Sequence, residues 1–380
     1  KLTVAPAALL GALMDLFGGF PLYVVAFLVV LCIVVFVHEW GHYWVARRNG
    51  VRIEAFSIGF GPELFGWTDQ SGTRWKVAAI PLGGYVKMLG DADASSATPD
   101  PATADLAGSF PSKSVWQRMA IVFAGPGANF LFAIAALTLL LVLAGRPVLL
   151  PVVGEVVEDG PAAAAGLESG DRILTIDGAS IETFGDLQSA VAEGGATERR
   201  LEIERNDQVF EVALTPSLEA PAEVEDPAAP GRPLIGIVAA APVFERVNPL
   251  VAPFAATTQV GSMIGEIVAA LGQIITGQRG FDELGGPLRI AELSGEAARL
   301  GAPEFTWLIV VLSVNLGLIN LFPIPMLDGG HLVMYAVEAV RGRPLAERVQ
   351  EMAFRVGLAL VLGLMVLVTW NDILRYLPGN

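Results

Sequence analysis

Long apolar runs dominate the pattern of hydrophobic and polar positions, and short alternating or mixed segments separate them. Four runs reach the roughly 20 residues needed to cross a bilayer. The first covers about Pro21 to Ala46 and carries no charge until His38 and Glu39. The second covers about Trp116 to Ala144, the third about Phe305 to Phe322, and the fourth about Val356 to Trp370. A fifth stretch, Thr257 to Gly277, is weakly hydrophobic, carries Glu266 mid-run and is rich in small residues. It reads as a helix lying on or packing against the membrane rather than spanning it.

Between these runs the pattern changes period. Residues 74–89 alternate imperfectly around Pro81-Leu82-Gly83-Gly84 and predict a membrane-associated β-hairpin. Residues 91–109 are acidic and small, which predicts a mobile loop. From about Val148 the chain predicts a strand, a short helix, a strand ending at Asp177-Gly178, a second helix over FGDLQSAVAEG, and a hairpin closed at Asn206-Asp207. A Pro/Ala/Glu-rich linker follows at 219–230. The expected organisation is therefore 1–47 with the first span, 48–115 as a cytoplasmic segment, 116–145 as the second span, and 148–240 as an external α+β domain. Residues 241–304 form linker and surface helix, 305–331 the third span with its motif, and 332–380 a turn and the fourth span.

Composition agrees with a polytopic α-helical membrane protein carrying soluble mass. Hydrophobic residues make up 53% and charged residues 17% of the 380, and the mean hydropathy is +0.56. A formal charge of −15 argues against a nucleic-acid partner. The lone Cys32 lies inside an apolar run and allows no internal disulfide. The sequence opens on Lys1 rather than Met, and no cleavable signal pattern is evident. Basic residues follow the first span (Arg47, Arg48, Arg52), precede the second (Lys113, Arg118) and follow the third (Arg341, Arg343, Arg348, Arg355). By the positive-inside rule those segments are cytoplasmic, and the termini and the acidic middle segment are external.

The chemistry-bearing residues are few. The three histidines are His38, His42 and His331. His38-Glu39-Trp40-Gly41-His42 is an H-E-x-x-H motif, in which both imidazoles share one helix face and can bind one metal. Glu39 then lies close enough to act as general base on the attacking water. The alternative is two satisfied helix histidines. Placement at the end of an apolar run favours the metal, because ionisable groups there are costly and usually functional. A catalytic zinc site needs a third protein ligand. Asp328, in Asn320-Leu-Phe-Pro-Ile-Pro-Met-Leu-Asp-Gly-Gly-His331, is the best candidate, His331 being a rival with an outer or structural role expected. Pro323 and Pro325 should break the helix before it, irregular backbone being tolerated at membrane depth where it lines a cavity.

These motifs resemble the site-2 protease family of intramembrane metalloproteases, in its bacterial RseP type. HEWGH and NLFPIPMLDGGH carry the resemblance, supported by PLGGYVKM, by GPGANF (Gly125 to Phe130) and by FDELGGPLRIAEL (Phe281 to Leu293). It implies Zn2+ held by His38, His42 and Asp328, with Glu39 activating water. Asn320, Pro323 and Pro325 would lie beside the scissile bond, where Asn320 positions substrate or makes an interhelical hydrogen bond; Asn129 has the same two readings. Gly83 and Gly84 would hold an unwound substrate by strand addition. GPAAAAGLESGDRILTIDG resembles a bacterial PDZ domain that could contact peptide, and residues 234–245 either complete it or belong to a second one. The implied activity is cleavage of single-pass proteins within the lipid bilayer of the bacterial inner membrane, typically anti-sigma factors after a first external cut. A silent scaffold binding through its PDZ domain and a metal transporter are the alternatives.

Overall fold

The computed structural model describes residues 20–91, 106–218, 233–280 and 285–375. Most of the expected mobile loop, the linker 219–230 and the start of FDELGG lie outside the described residues. The chain divides into two units, residues 141–248 and the remainder.

The larger unit is built on helices α1 (Phe20–Arg48) and α2 (Val115–Leu143). Arg47 and Arg48 in the last turn of α1 complement its dipole, and Gly50 (φ 69°) lets the chain leave it. A capping box opens α2: the Gln117 amide donates to Ser114 Oγ at 3.3 Å, and the Ser114 amide donates to Gln117 Oε1 at 3.1 Å. Between them run β1 (Ile53–Thr68) and β2 (Arg74–Met88).

The sequence predicts that 74–89 pairs with itself, and the structure pairs it with β1 instead. Residues 74–77 face both 65–68 and 55–58, and residues 84–88 face 53–58. Each long strand bends near glycines with positive φ, Gly59 and Gly61 in one and Gly83 in the other. The reversal lies at 69–73, where Asp69 Oδ1 accepts from the Ser71 and Thr73 amides and Oδ2 accepts from Trp75 Nε1. Burial works against this carboxylate, but those bonds and the Ser71 hydroxyl hold its pKa down to about 2. A shared core of Ala46, Phe56, Val86, Met88, Ile121 and Val122 fastens the sheet to one end of α1 and α2.

Five further helices complete this unit: α5 (Ala252–Ile275), α6 (Pro287–Leu300), α7 (Ala302–Leu321), α8 (Asp328–Arg341) and α9 (Glu347–Arg375), with α3 and α4 belonging to the other unit. Asp372, buried on α9, caps the start of α6 by accepting from the amides of Gly286, Leu288 and Arg289. Gly295 of α6 lies against the Tyr23 ring of α1, where a Cβ would come within 2.1 Å of Cδ1. Five described helices, α1, α2, α5, α7 and α9, are long and apolar enough to cross a membrane, one more than the sequence predicts. The additional one is α5, whose hydropathy of 1.3 is the lowest of the five because Glu266 and its small residues dilute it.

The smaller unit contains β3 (Arg146–Val148), β4 (Val153–Val156), α3 (Pro161–Ala164), β5 (Arg172–Ile176), β6 (Ala179–Ser180), α4 (Phe184–Gly194), β7 (Arg199–Arg205), β8 (Gln208–Leu214), β9 (Ile237–Ala239) and β10 (Val243–Glu245). The predicted hairpin closes at Asn206 and Asp207, both with positive φ. Strands β9 and β10 pair with β4 and β3, so residues 237–245 complete this unit rather than begin another. Its core gathers Ile173, Leu187, Leu201 and Ile203, and buried Asp171 receives both Nε and Nη2 of Arg205.

Candidate metal centre

Helix α1 presents His38 and His42 one turn apart, so their ring nitrogens point to a common spot. His42 donates Nδ1–H to the Ile121 carbonyl of α2 at 2.9 Å. That bond fixes the tautomer and leaves the Nε2 lone pair for a ligand role.

The third group arrives on α8. Helix α7 stops at Leu321, and Phe322 turns to extended backbone before Pro323. Residues 322–327 form an irregular connection, with Met326 at φ 91°, an unusual conformation for a non-glycine residue beside a functional site. Asp328 then opens α8. The next two residues must be glycine for this packing. A Cβ on Gly329 would come within 2.2 Å of the Phe322 carbonyl oxygen, and one on Gly330 within 2.4 Å of the Ile324 carbonyl oxygen.

Asp328 Oδ2 lies 3.1 Å from His38 Nε2 and 3.5 Å from His42 Nε2, and the two Nε2 atoms are 3.2 Å apart. Ligand atoms bound at 2.0–2.1 Å to a tetrahedral ion stand about 3.3–3.4 Å apart. The three observed separations match that edge length. In addition, Oδ2 of Asp328 is buried and has no hydrogen-bond partner of good geometry. Two imidazoles and one carboxylate form a borderline donor set suited to zinc, and these residues fit a metal ion. Among the described residues this is the group of three that could hold one.

A cavity of about 660 Å³ opens on the centre, lined by His38, Glu39, His42, Asn320, Asp328 and His331 among others. Glu39 is buried beside the ligand group without belonging to it. Gly83 and Gly84 of the sheet also line the cavity. Gly84 packs directly on the helix, where a Cβ would sit 2.8 Å from Val35 and 3.0 Å from Glu39 Cγ. The sequence-predicted residues Asn320, Gly83 and Gly84 therefore line the same cavity as the ligand group. Pro323 and Pro325 do not line it. Pro325 instead supports α9, where a Cβ on Gly357 would come within 1.9 Å of the Pro325 carbonyl oxygen. This backbone contact is a packing role, one the motif alone does not reveal.

Sequence reasoning also missed what Gly125 and Gly41 do. A Cβ on Gly41 would lie 2.1 Å from the Ala124 carbonyl oxygen, and one on Gly125 would lie 2.2 Å from His42 Nε2. The α1–α2 crossing thus passes directly behind the His42 ring. The clustered small residues of Gly125-Pro126-Gly127-Ala128 were the available signal.

Comparison with known proteins adds independent findings. The sequence profile of peptidase family M50 matches residues 26–364. A protein of Agrobacterium fabrum named as a zinc metalloprotease is 44% identical over 361 residues, covering 92% of this chain and 95% of its own. Metalloprotease MmpA of Caulobacter vibrioides is 42% identical over 392 residues, covering 94% and 97%. Among solved structures, the PDZ domain of an SdrC-like protein from Listeria innocua aligns at 23% identity, covering 26% of this chain and 100% of that one with a TM-score of 0.21.

Proposed function

The chain belongs to peptidase family M50, the site-2 protease family, and from that premise we propose that it is a zinc endopeptidase cutting single-pass membrane proteins within the bilayer. The observation that carries this reading is the convergence of His38, His42 and Asp328 at tetrahedral-edge distances inside an apolar helix bundle. These three would hold the ion. When bound, zinc supplies a Lewis acid that polarises the scissile carbonyl and acidifies water. The Glu39 carboxylate takes the proton of the attacking water and passes it to the leaving amide nitrogen. Asn320, on the cavity wall, donates its side-chain amide to the substrate carbonyl. Glycines 83 and 84 leave a backbone edge against which an unwound substrate adds as a strand.

The arrangement of helices supports a sidedness. The basic residues flanking α1, α2 and α8 assign the end carrying the metal centre to the cytoplasm. Helix α2 then leads outward and α7 leads back inward to Asp328. A single crossing by α5 would strand α7 on the wrong side, and the 14 residues of α6 span about 21 Å, short of a hydrocarbon core of about 30 Å. So α5 lies on or against the outer leaflet, and four helices span. On this reading the protein lies in the inner membrane of a bacterium with residues 141–248 as its external PDZ domain, and the favoured substrate is a regulator of the anti-sigma-factor class, trimmed first on its external side.

The test uses purified protein in detergent with single-pass substrates, intact and trimmed. Wild type should cut the trimmed substrate, lose activity to a chelator and regain it with zinc. Asp328→Ala should carry no zinc and cut nothing. Zinc-loaded enzyme that cuts soluble peptides but no transmembrane segment would overturn the intramembrane assignment. A separate expectation concerns Gly84→Ala. The added methyl presses on Glu39 and moves the sheet, so turnover should fall by up to about 10²-fold at unchanged zinc content. Wild-type turnover in that variant would show that the sheet takes no part in placing substrate.

A further inference from the structure

Histidine ligands almost always donate their second ring N–H to a fixed acceptor, which sets the tautomer and the ring plane. His42 does so, through Nδ1 to the Ile121 carbonyl. His38 does not: its Nδ1 is buried with no hydrogen-bond partner. With Nε2 turned toward Asp328 and His42, Nδ1 must carry the proton of a neutral ligand imidazole. A buried donor without an acceptor is costly, so the acceptor should be close by.

One fully buried side chain has the opposite deficit. Both carboxamide atoms of Asn129, on α2, are buried without a hydrogen-bond partner, and the residue is 0% exposed. Of the five such atoms among the described residues, Asn129 and His38 supply three.

The helix crossing brings the two residues to one level. Helices α1 and α2 run antiparallel: Ala46 shares a core cluster with Ile121 and Val122, and Val34 shares another with Phe132. Between these ends, Gly125 packs on His42 and Gly41 packs on Ala124 and Ala128. One turn from His42 along α1 is His38, and one turn from Gly125 in the opposing direction along α2 is Asn129. The same turn of α2 is pinned by α7, whose Ser313 Oγ donates to the Asn129 backbone carbonyl at 3.0 Å.

We propose that Asn129 is a positioning residue for the metal centre, its carboxamide oxygen receiving Nδ1–H of His38 directly after a turn of the side chain or through one buried water. Either link fixes the same tautomer, and a water placed between these groups would find the polar partners it needs. The pair of ligand histidines is then held symmetrically by α2, His42 by a backbone carbonyl and His38 by a side chain one turn further along. The inference rests on His38 being a zinc ligand.

The experiment measures metal affinity of the full-length chain in detergent by competition with a chromophoric chelator, together with the visible absorption bands of the cobalt-substituted protein and the melting temperature of the metal-free form. Asn129→Leu keeps the volume and removes the acceptor. It should weaken metal binding by about 10–100-fold and shift the cobalt bands, with metal-free melting close to wild type. Asn129→Asp restores an acceptor and should recover most of the affinity. If Asn129→Leu fails to fold, Asn129→Asp carries the test alone, because a stronger acceptor on Nδ1–H must shift the cobalt bands. Wild-type affinity and spectrum in Asn129→Leu, or an unshifted spectrum in Asn129→Asp, would overturn the proposal. Absence of metal binding in the wild type would instead remove the zinc reading beneath it.

Discussion

Glu39→Gln should slow peptide hydrolysis by about 10²–10⁴-fold while zinc content stays at the wild-type level. The two outcomes separate because Glu39 lies beside the ligand group without belonging to it. Gln matches Glu in volume, so the packing of this side chain against Gly84 survives the exchange. What disappears is the ability to accept a proton from the attacking water and return it to the leaving nitrogen. An amide is neutral and has no useful basicity at neutral pH. Zinc analysis and single-turnover cleavage on the same preparation provide the check. If zinc is lost with activity, Glu39 holds the site together rather than acting as base. If cleavage persists, another group on the cavity wall does the proton transfer, and His331 becomes the next residue to replace.

The parts of this site legible in the sequence are those whose chemistry is written at short spacing. His38 and His42 share a helix face at i and i+4, and Asp328 follows two prolines that end α7 where the metal needs an irregular backbone. The spans were legible because each is an uninterrupted apolar run, and the one ambiguous stretch, α5, is where Glu266 and small residues lower the signal. What stayed hidden depends on partners distant in sequence. The 74–89 stretch carries Pro and Gly at its middle, and these resemble a turn. The actual reversal is the Asp69 turn, and a third ribbon of residues 55–58 lies where self-pairing was expected. Pro325 stands in the ligand motif, and its packing against Gly357 on α9, more than thirty positions away, could not be read from that motif. Strands β9 and β10 were ambiguous for the same reason: they complete a unit whose other strands precede the linker.

Gly125→Ala should empty the metal centre while leaving the helix bundle intact. The new Cβ would stand 2.2 Å from His42 Nε2 and 2.5 Å from Cε1, well inside van der Waals contact. Of the two sides of this clash, α2 is the stiffer. Its backbone is locked into a helix that also packs on α7 through Gly317, whose own Cβ would sit 3.1 Å from the Pro126 carbonyl oxygen. The imidazole has free torsions and therefore gives way, breaking its bond to Ile121 and carrying Nε2 out of the ligand triangle. With one of three ligands gone, zinc is held by His38 and Asp328 alone, and dialysis should strip it along with activity. The helix itself tolerates the change, since Ala is favoured over Gly in a helix interior by about 1 kcal/mol. Metal-free melting should thus stay within a few degrees of wild type. Gly41→Ala provides the contrast, because there the obstacle is the Ala124 backbone carbonyl at 2.1 Å, which cannot rotate away. That variant must push α1 and α2 apart and should lower the melting temperature itself. Zinc retained by Gly125→Ala would mean that the crossing relaxes by helix movement, and a melting loss equal to that of Gly41→Ala would say the same. Loss of zinc at unchanged melting would assign this glycine to the metal centre, although its side chain is a hydrogen.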